Sequence, residues 1–184
     1  MSTYCSVAPG HPVHHDYHAS EYGFPQREES VLFERLVLEI MQAGLSWEIV
    51  LKRRAGMRTA LLDYTVDKVA ALDEAGQALL LANPAIIRNR LKVAAIVANA
   101  RRIQALRTSH GGFAGWLDAH HPRDKAEWVK LFKATFLFTG GEIVGEFLMS
   151  LGYLPGAHAA DCPVAASIAA LRPPWQRGST PAHP

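Results

Sequence analysis

The chain has 184 residues, 49% of them hydrophobic and 20% charged, with a formal net charge of +2 at pH 7. This length and apolar content favour one folded domain and exclude a disordered polymer. With only two cysteines a disulfide scaffold is excluded, and no stretch approaches the ~18 apolar residues of a membrane span. The mildly basic balance permits a nucleic-acid partner without indicating one.

Residues 1–27 predict an irregular arm, because four histidines are mixed there with prolines and glycines. The first residues contain neither the basic nor the apolar segment of a signal peptide, so we expect a cytoplasmic protein. A single disulfide between Cys5 and Cys162 remains possible at this point, although nothing indicates an oxidising compartment.

The rest of the chain predicts an all-α fold. From Glu28, apolar residues recur every three and four positions until Gly44, and Ser46 is a good N-cap for the next helix. No alternation of apolar and polar residues is long enough for a sheet. We expect one domain over 1–172 and a loose tail over 173–184. The predicted helices after the first are 47–62, 66–72, 74–82, 91–106, 113–120, 125–135 and 140–151, with a break at Asn83-Pro84.

Glu39 shares a helix face with apolar residues, since it follows Leu36 by three positions and precedes Ala43 by four. A buried carboxylate must be paired, protonated or directed into a pocket, and Trp47 could share that pocket. Alternatively, Glu39 lies at the edge of the apolar stripe and reaches solvent or pairs with Arg35. Spacing alone favours this second interpretation slightly.

The two ends of the chain carry a candidate metal site. Cys5 and His18 lie in the arm, while His158 and Cys162 form a His-x-x-x-Cys motif after the last strong helix. Two thiolates and two imidazoles make a closed tetrahedral set for structural zinc. Taken alone the signal is weak, because nine histidines place one near a cysteine by chance and a free buried cysteine is ordinary.

Two segments could contact a nucleic-acid backbone. Arg88, Arg90 and Lys92 lie in a short link before a long helix, whose N-terminal N–H groups would suit a phosphate. Thr139 and Gly140 open the last strong helix, and glycine allows close approach of a phosphate. Basic residues near helix ends are nevertheless mostly solvated, so neither segment is decisive by itself.

Taken together and in order, these motifs resemble the type I DNA-3-methyladenine glycosylases, which are helix-hairpin-helix repair proteins. The resemblance runs from Cys5 to about Cys162, most of the chain. It is carried by Tyr17-His18, Glu21-Tyr22-Gly23-Phe24-Pro25, Glu39 with Gln42-Ala43-Gly44-Leu45-Ser46-Trp47, Ile86-Ile87-Arg88-Asn89-Arg90, Phe136-Leu137-Phe138-Thr139-Gly140, and Gly152-Tyr153-Leu154 before His158 and Cys162.

The resemblance implies a compact helical repair-glycosylase fold that contains a helix-hairpin-helix element. It implies one structural Zn²⁺ held by Cys5, His18, His158 and Cys162, which joins the two ends of the chain. It also implies a monofunctional enzyme that hydrolyses the N-glycosidic bond of 3-methyladenine in alkylated double-stranded DNA, with no membrane or required protein partner. The implied site residues are Glu39 as the catalytic residue; Tyr17, Tyr22, Glu39 and Trp47 for the base; and Arg88, Arg90, Lys92, Thr139 and Gly140 for DNA.

Several residues depart from the pattern of that family. Val7 stands where a tryptophan is frequent, and Ala85 and Leu91 stand where glycines are common in the hairpin. These departures motivate a second hypothesis, a non-catalytic zinc-stabilised module that binds DNA or lesions without turnover. A third hypothesis is a helical interaction protein that does not engage DNA.

Overall fold

A computed structural model describes residues 4–178, and within that range every regular element is helical. This confirms the all-α expectation. None of the helices in the described range is long and apolar enough to cross a membrane. A 3-10 turn spans Leu62–Tyr64, and the α-helices are α1 Tyr4–Val7, α2 His15–Ser20, α3 Glu29–Gln42, α4 Trp47–Ala60, α5 Val66–Ala70, α6 Glu74–Ala82, α7 Arg90–His110, α8 Phe113–His120, α9 Lys125–Thr135, α10 Gly141–Ser150, α11 Pro163–Ala170 and α12 Pro174–Arg177.

Helix α3 is the centre of the core. Every residue from Leu32 to Met41 is buried, and the helix packs against α4, α7, α8 and α10. Three charged residues lie within this buried stretch: Glu34, Arg35 and Glu39. Burial of a charge is costly without a compensating partner. Buried charged side chains therefore mark positions that have a role besides core packing.

The N-terminal arm is more ordered than its composition predicts. Helices α1 and α2 both lie within residues 1–27, and Tyr17 and His18 of α2 are buried against the body. Helices of four and six residues are not stable by themselves, so their order comes from packing, which local sequence cannot reveal.

The C-terminal segment also contains structure that the sequence did not predict. The helix α11 precedes it, and α12 lies inside the stretch expected to be loose, where the Trp175 N–H donates to the Gly152 carbonyl at 3.0 Å. The remainder of that expected tail, residues 179–184, lies outside the described residues.

The link between α6 and α7 is rigid. Asn89 caps α7, because its side-chain oxygen accepts from the N–H groups of Leu91 and Lys92 at 3.0 and 3.1 Å. From α4, Arg53 donates to the carbonyls of Pro84 and Ile86 at 3.2 and 3.1 Å. Helix α7 begins at Arg90, one residue before the predicted start, and these side-chain hydrogen bonds hold both ends of the link.

The loop before α10 is fastened to α7 in a similar way. The Asn99 side chain, fully buried in α7, donates to the Leu137 carbonyl at 3.0 Å and accepts from the Leu137 N–H at 2.8 Å. This clasp fixes the loop that leads to Gly140, the N-cap of α10. It thereby places the start of α10 beside the C-terminal end of α3.

Candidate active site

A cavity of about 250 Å³ lies between the arm, α3, α4 and α10. It adjoins a more open groove of about 550 Å³, which borders the loop after α3 and the start of α10. Glu39, Gln42 and Glu146 line both spaces. The cavity is smaller than the ~300–1,000 Å³ pockets of drug-sized ligands, so it suits one small planar group. Its lining residues are Tyr4, Tyr17, Tyr22, Glu39, Gln42, Trp47 and Glu146.

Aromatic rings form the walls of this cavity. Tyr17 and Trp47 meet edge to face with ring centroids 5.1 Å apart, and Tyr17 lies 5.8 Å from Tyr22. Tyr4 crosses Tyr22 at 5.6 Å, nearly perpendicular. The structure thus brings together the three predicted aromatic residues and adds Tyr4, which sequence reasoning missed. The only feature of the sequence that could have indicated Tyr4 is its position next to Cys5.

Glu39 is directed into the cavity. Its residue is only 4% exposed, and within the described part of the chain its carboxyl has no hydrogen bond or ion pair. Burial raises the pKa of Glu39 well above its ordinary value; the nearby Glu146 raises it further, while Arg35 opposes the rise. The interpretation favoured by spacing alone, a solvent-facing or Arg35-paired carboxylate, is therefore wrong.

Arg35 is instead committed to other partners. Its guanidinium donates to Glu21 at 2.8 Å and to the Tyr17 hydroxyl at 3.1 Å, and lies 4.8 Å from the centroid of the Tyr17 ring. Arg54 joins Glu21 to the buried Glu34, with contacts of 2.7 and 3.0 Å. This ion-pair network fixes the position of Tyr17 and leaves Glu39 without a cation of its own.

The four predicted metal ligands converge in the described structure. The ligand atoms of Cys5, His18, His158 and Cys162 all lie within 4.8 Å of one another, and both cysteines are free thiols. The Cys162 sulfur is 3.7 Å from Nε2 of His18 and 3.5 Å from Nδ1 of His158, while Cys5 is 3.6 Å from the latter nitrogen. A tetrahedral zinc ion with ordinary bond lengths separates nitrogen and sulfur ligands by about 3.5 Å, so the set fits that metal.

The other nitrogen of His158 points away from this cluster. Nε2 lies 2.7 Å from the Tyr22 carbonyl oxygen, to which it is positioned to donate. Metal-bound histidines commonly donate their second N–H to a carbonyl, which orients the ring. The cluster is thereby joined directly to a residue of the cavity wall.

A second group of candidate ligands, His11, His14 and Glu48, has geometry that opposes a cation. Nδ1 of His11 accepts the N–H groups of Val13 and His14, so the neutral ring keeps its proton on Nε2. Lys52 already lies 2.6 Å from Glu48. The group is therefore a partly exposed polar patch beside the cavity mouth.

The predicted DNA-contacting residues fall into two sets. Arg88 is exposed on the link before α7, Arg90 is exposed as the first residue of α7, and Gly140 is exposed at the start of α10. Lys92 is only 4% exposed, and its ammonium donates to the carbonyls of Met41 and Ala43 at 2.9 and 2.7 Å. The Lys92 prediction is corrected accordingly, because this cation caps the end of α3 and does not face solvent.

Thr139 needs the same correction for its side chain. Its residue is buried, and its hydroxyl donates to the Phe136 carbonyl at 3.3 Å. A contact with the DNA backbone in this region would therefore come from the exposed N–H groups at the start of α10, which Gly140 does not cap with a side chain.

Comparison with known proteins identifies the family. A family model for methyladenine glycosylases matches residues 7–130. The chain belongs to this family. It is 31% identical over 182 residues to the DNA-3-methyladenine glycosylase of Haemophilus influenzae, covering 89% of this chain and 98% of that one. It is 40% identical over 97 residues to DNA-3-methyladenine glycosylase 1 of Escherichia coli, which covers 53% of this chain and 52% of the relative.

Solved structures of methyladenine glycosylases share the fold. A crystal structure of a 3-methyladenine DNA glycosylase I superposes with a TM-score of 0.78 at 30% identity, covering 86% of this chain and 97% of the other. The Staphylococcus aureus enzyme, solved for the basis of its 3-methyladenine recognition, gives 0.78 at 28% identity over 88% and 95%. The resemblance found in the sequence is confirmed, and the chain is a glycosidase that acts on N-glycosyl bonds.

Proposed function

We propose that this chain excises 3-methyladenine from alkylated double-stranded DNA by hydrolysis of the N-glycosidic bond, and that Glu39, Tyr17, Tyr22 and Trp47 hold the base. The observation that carries the proposal is a buried, unpaired carboxyl beneath aromatic rings in a cavity suited to one planar group. Adenine methylated at N3 is positively charged while it is still bound to the sugar. Aromatic faces attract such a cation, which a nucleotide flipped from the duplex would bring into the cavity.

Glu39 would read the edge of the base. Burial raises the pKa of Glu39, which shifts its carboxyl toward the protonated form. A protonated carboxyl offers one donor and one acceptor, whereas a carboxylate offers acceptors alone. The donor and acceptor together complement the amino group of adenine and an adjacent ring nitrogen, so the buried group can discriminate adenine without a formal ion pair.

The chemical step requires little beyond placement, since the glycosidic bond of this cationic nucleotide is already labile. Extrusion of the base, removal of bulk water from around it and positioning of one water would be the contributions of the protein. No lysine lines the cavity or the groove within the described residues. A Schiff base with the sugar is accordingly not part of the proposal, and we expect a monofunctional enzyme without strand cleavage.

DNA would be held by two features that flank the groove. We assign α6, the 83–89 link and α7 as the helix-hairpin-helix element, with Arg88 and Arg90 directed to phosphates. The uncapped start of α10 offers backbone N–H groups and the positive end of a helix dipole. Leu45 is exposed on the rim of the groove, where an apolar side chain can enter a base stack that has lost its base.

Cys5, His18, His158 and Cys162 would hold one structural Zn²⁺. The ion would supply a cross-link between the arm and the body, because a closed four-ligand site leaves no position for substrate. Three of the cavity rings, Tyr4, Tyr17 and Tyr22, come from the arm. We propose that the metal contributes to function by holding these three rings in the cavity wall.

The test is release of free base from a duplex treated with a methylating agent. Wild type should release 3-methyladenine, whereas Glu39→Gln and Trp47→Ala should release it at least ~100-fold more slowly, because each removes a contact with the reacting base. Glu74→Gln is the matched control, since Glu74 is exposed on α6. Wild-type protein that binds DNA but releases no base would favour the alternative of a non-catalytic lesion-binding module.

A further inference from the structure

Glu146 is a second carboxyl group in the cavity, and the function proposed above does not use it. It lies on α10, and it lines both the cavity and the open groove, as Glu39 does. Its Oε2 accepts the Tyr22 hydroxyl at 2.8 Å. Two carboxyl groups from different helices therefore face the space in which the base would sit.

The two groups have different surroundings. Glu39 is almost wholly buried and has no hydrogen bond in the described structure, whereas Glu146 is partly exposed and accepts one. A partly hydrated, hydrogen-bonded carboxylate retains its charge at much smaller cost than a buried one with no donor. Two negative charges in one small cavity also repel each other. A negative charge on Glu146 therefore costs less than one on Glu39.

That charge has no cation to balance it within the cavity. No lysine or arginine lines the cavity among the described residues, and the nearest buried guanidinium, Arg35, is paired with Glu21. The remaining lining groups are neutral rings and the Gln42 amide. Glu146 thus leaves an uncompensated negative charge facing a ring-lined space.

We propose that Glu146 is a further substrate-recognition residue, whose carboxylate selects positively charged purines over neutral purines of the same shape. This inference rests on the proposed function and assigns different features of the base to different residues. Glu39 reads the hydrogen-bonding edge of the base, the rings bind its faces, and Glu146 senses its charge. Undamaged adenine, which is neutral, gains nothing from that attraction, so the cavity favours alkylated over normal bases.

A purely structural role for Glu146 makes a different prediction, since the group could act only by holding Tyr22. Two conservative variants separate these roles. Glu146→Gln removes the charge, but its amide oxygen can still accept the Tyr22 hydroxyl. Tyr22→Phe removes that same hydrogen bond and keeps both the ring and the carboxylate.

The experiment measures binding of two probes by isothermal titration calorimetry at pH 8. One is 3,9-dimethyladeninium, in which a methyl group replaces the sugar and the purine keeps its positive charge. The other is its neutral isostere, 3,9-dimethyl-3-deazaadenine. Glu146→Gln should weaken binding of the cation about tenfold and leave the neutral probe unchanged. Tyr22→Phe should retain the preference for the cation. Unchanged affinity for the neutral probe also shows that the variant is folded.

Two outcomes would overturn the inference alone, provided that wild type releases 3-methyladenine from DNA. The first is a Glu146→Gln protein that keeps the full preference for the cation. The second is an equal loss of both probes in both variants, which would reduce Glu146 to a support for Tyr22. Wild-type protein that releases no base and binds neither probe would instead remove the proposed function, and this inference with it.

Discussion

Replacement of Glu39 by glutamine should stabilise the folded protein relative to wild type increasingly as pH rises, while it slows base release at least ~100-fold. The carboxyl is 4% exposed and has no hydrogen bond within the described residues, and its pKa is raised chiefly by burial. In the folded protein the group therefore keeps its proton over a pH range in which the unfolded chain has already released it. The contribution of this carboxyl to wild-type stability must therefore fall as pH rises through that range.

The size of the effect follows from this proton linkage. Below the ordinary pKa of 4.5 both states are protonated and the carboxyl imposes no penalty. Above it, the contribution of Glu39 to the free energy of unfolding falls by about 1.4 kcal/mol per pH unit, until the pKa of the folded state is reached. Glutamine does not titrate, so the advantage of Glu39→Gln grows at that slope and then levels off. Any cost of burying the amide is independent of pH and shifts the whole curve.

Urea unfolding of both proteins from pH 4 to pH 8 measures this difference, with tryptophan fluorescence as the signal and zinc held constant. The pH at which the difference levels off reports the pKa of Glu39 in the folded protein. Glu74→Gln is the control, since an exposed carboxylate should give a nearly flat difference. If the difference in free energy of unfolding between Glu39→Gln and wild type stays flat or falls as pH rises, the fold stabilises the ionised carboxylate. The proposal that a protonated Glu39 hydrogen-bonds to the base would then have to be abandoned.

Three further predictions concern the metal, the DNA contacts and the cap of α3. Purified protein should contain about one zinc per chain by elemental analysis, and Cys162→Ser should lose it and lower Tm, with each 1 kcal/mol lost worth about 2–4 °C at this size. Arg88→Ala and Arg90→Ala should each reduce the slope of log affinity for DNA against log salt by about 0.9, measured by fluorescence anisotropy, without changing base preference. Lys92→Met should lower the free energy of unfolding by about 2 kcal/mol, through loss of its bonds to Met41 and Ala43, and leave that salt slope unchanged.

The sequence predicted those helices whose signals are local. Ser46 caps α4 as expected, and Asp73 caps α6; both side chains accept from N–H groups three residues later. Helices α1, α2 and α11 were missed, because they are short and owe their order to packing around the joined ends of the chain. The pattern of apolar residues reports which face of a long helix is buried, but it does not report a docked segment of four to eight residues.

The site likewise combines features that the local sequence predicts with contacts that only the fold creates. Periodicity placed Glu39 on the apolar face of α3, yet its burial without a partner depends on Arg35 being taken by Glu21 from another element. Glu146 carries the same signal, a carboxylate within the apolar helix α10, but its neighbour Tyr22 is 124 residues away in sequence. From the sequence, Lys92 looks like a third exposed cation of a basic segment. It is buried only because the end of α3 approaches it in the fold and accepts its ammonium hydrogen bond at the Met41 carbonyl.

The cavity and the Cys/His cluster are connected through a short chain of hydrogen bonds. His158 reaches from the cluster to the Tyr22 carbonyl, and the Tyr22 hydroxyl reaches on to Glu146. The arm helices that supply Tyr4 and Tyr17 are too short to persist undocked. Because α7 and α10 both pack against α3, we expect loss of the cluster to leave the core helices and their carboxyls in place. It would displace the tyrosine rings that the arm supplies and leave Trp47 of α4, so we expect recognition of the base to depend on how the two ends of the chain are held together.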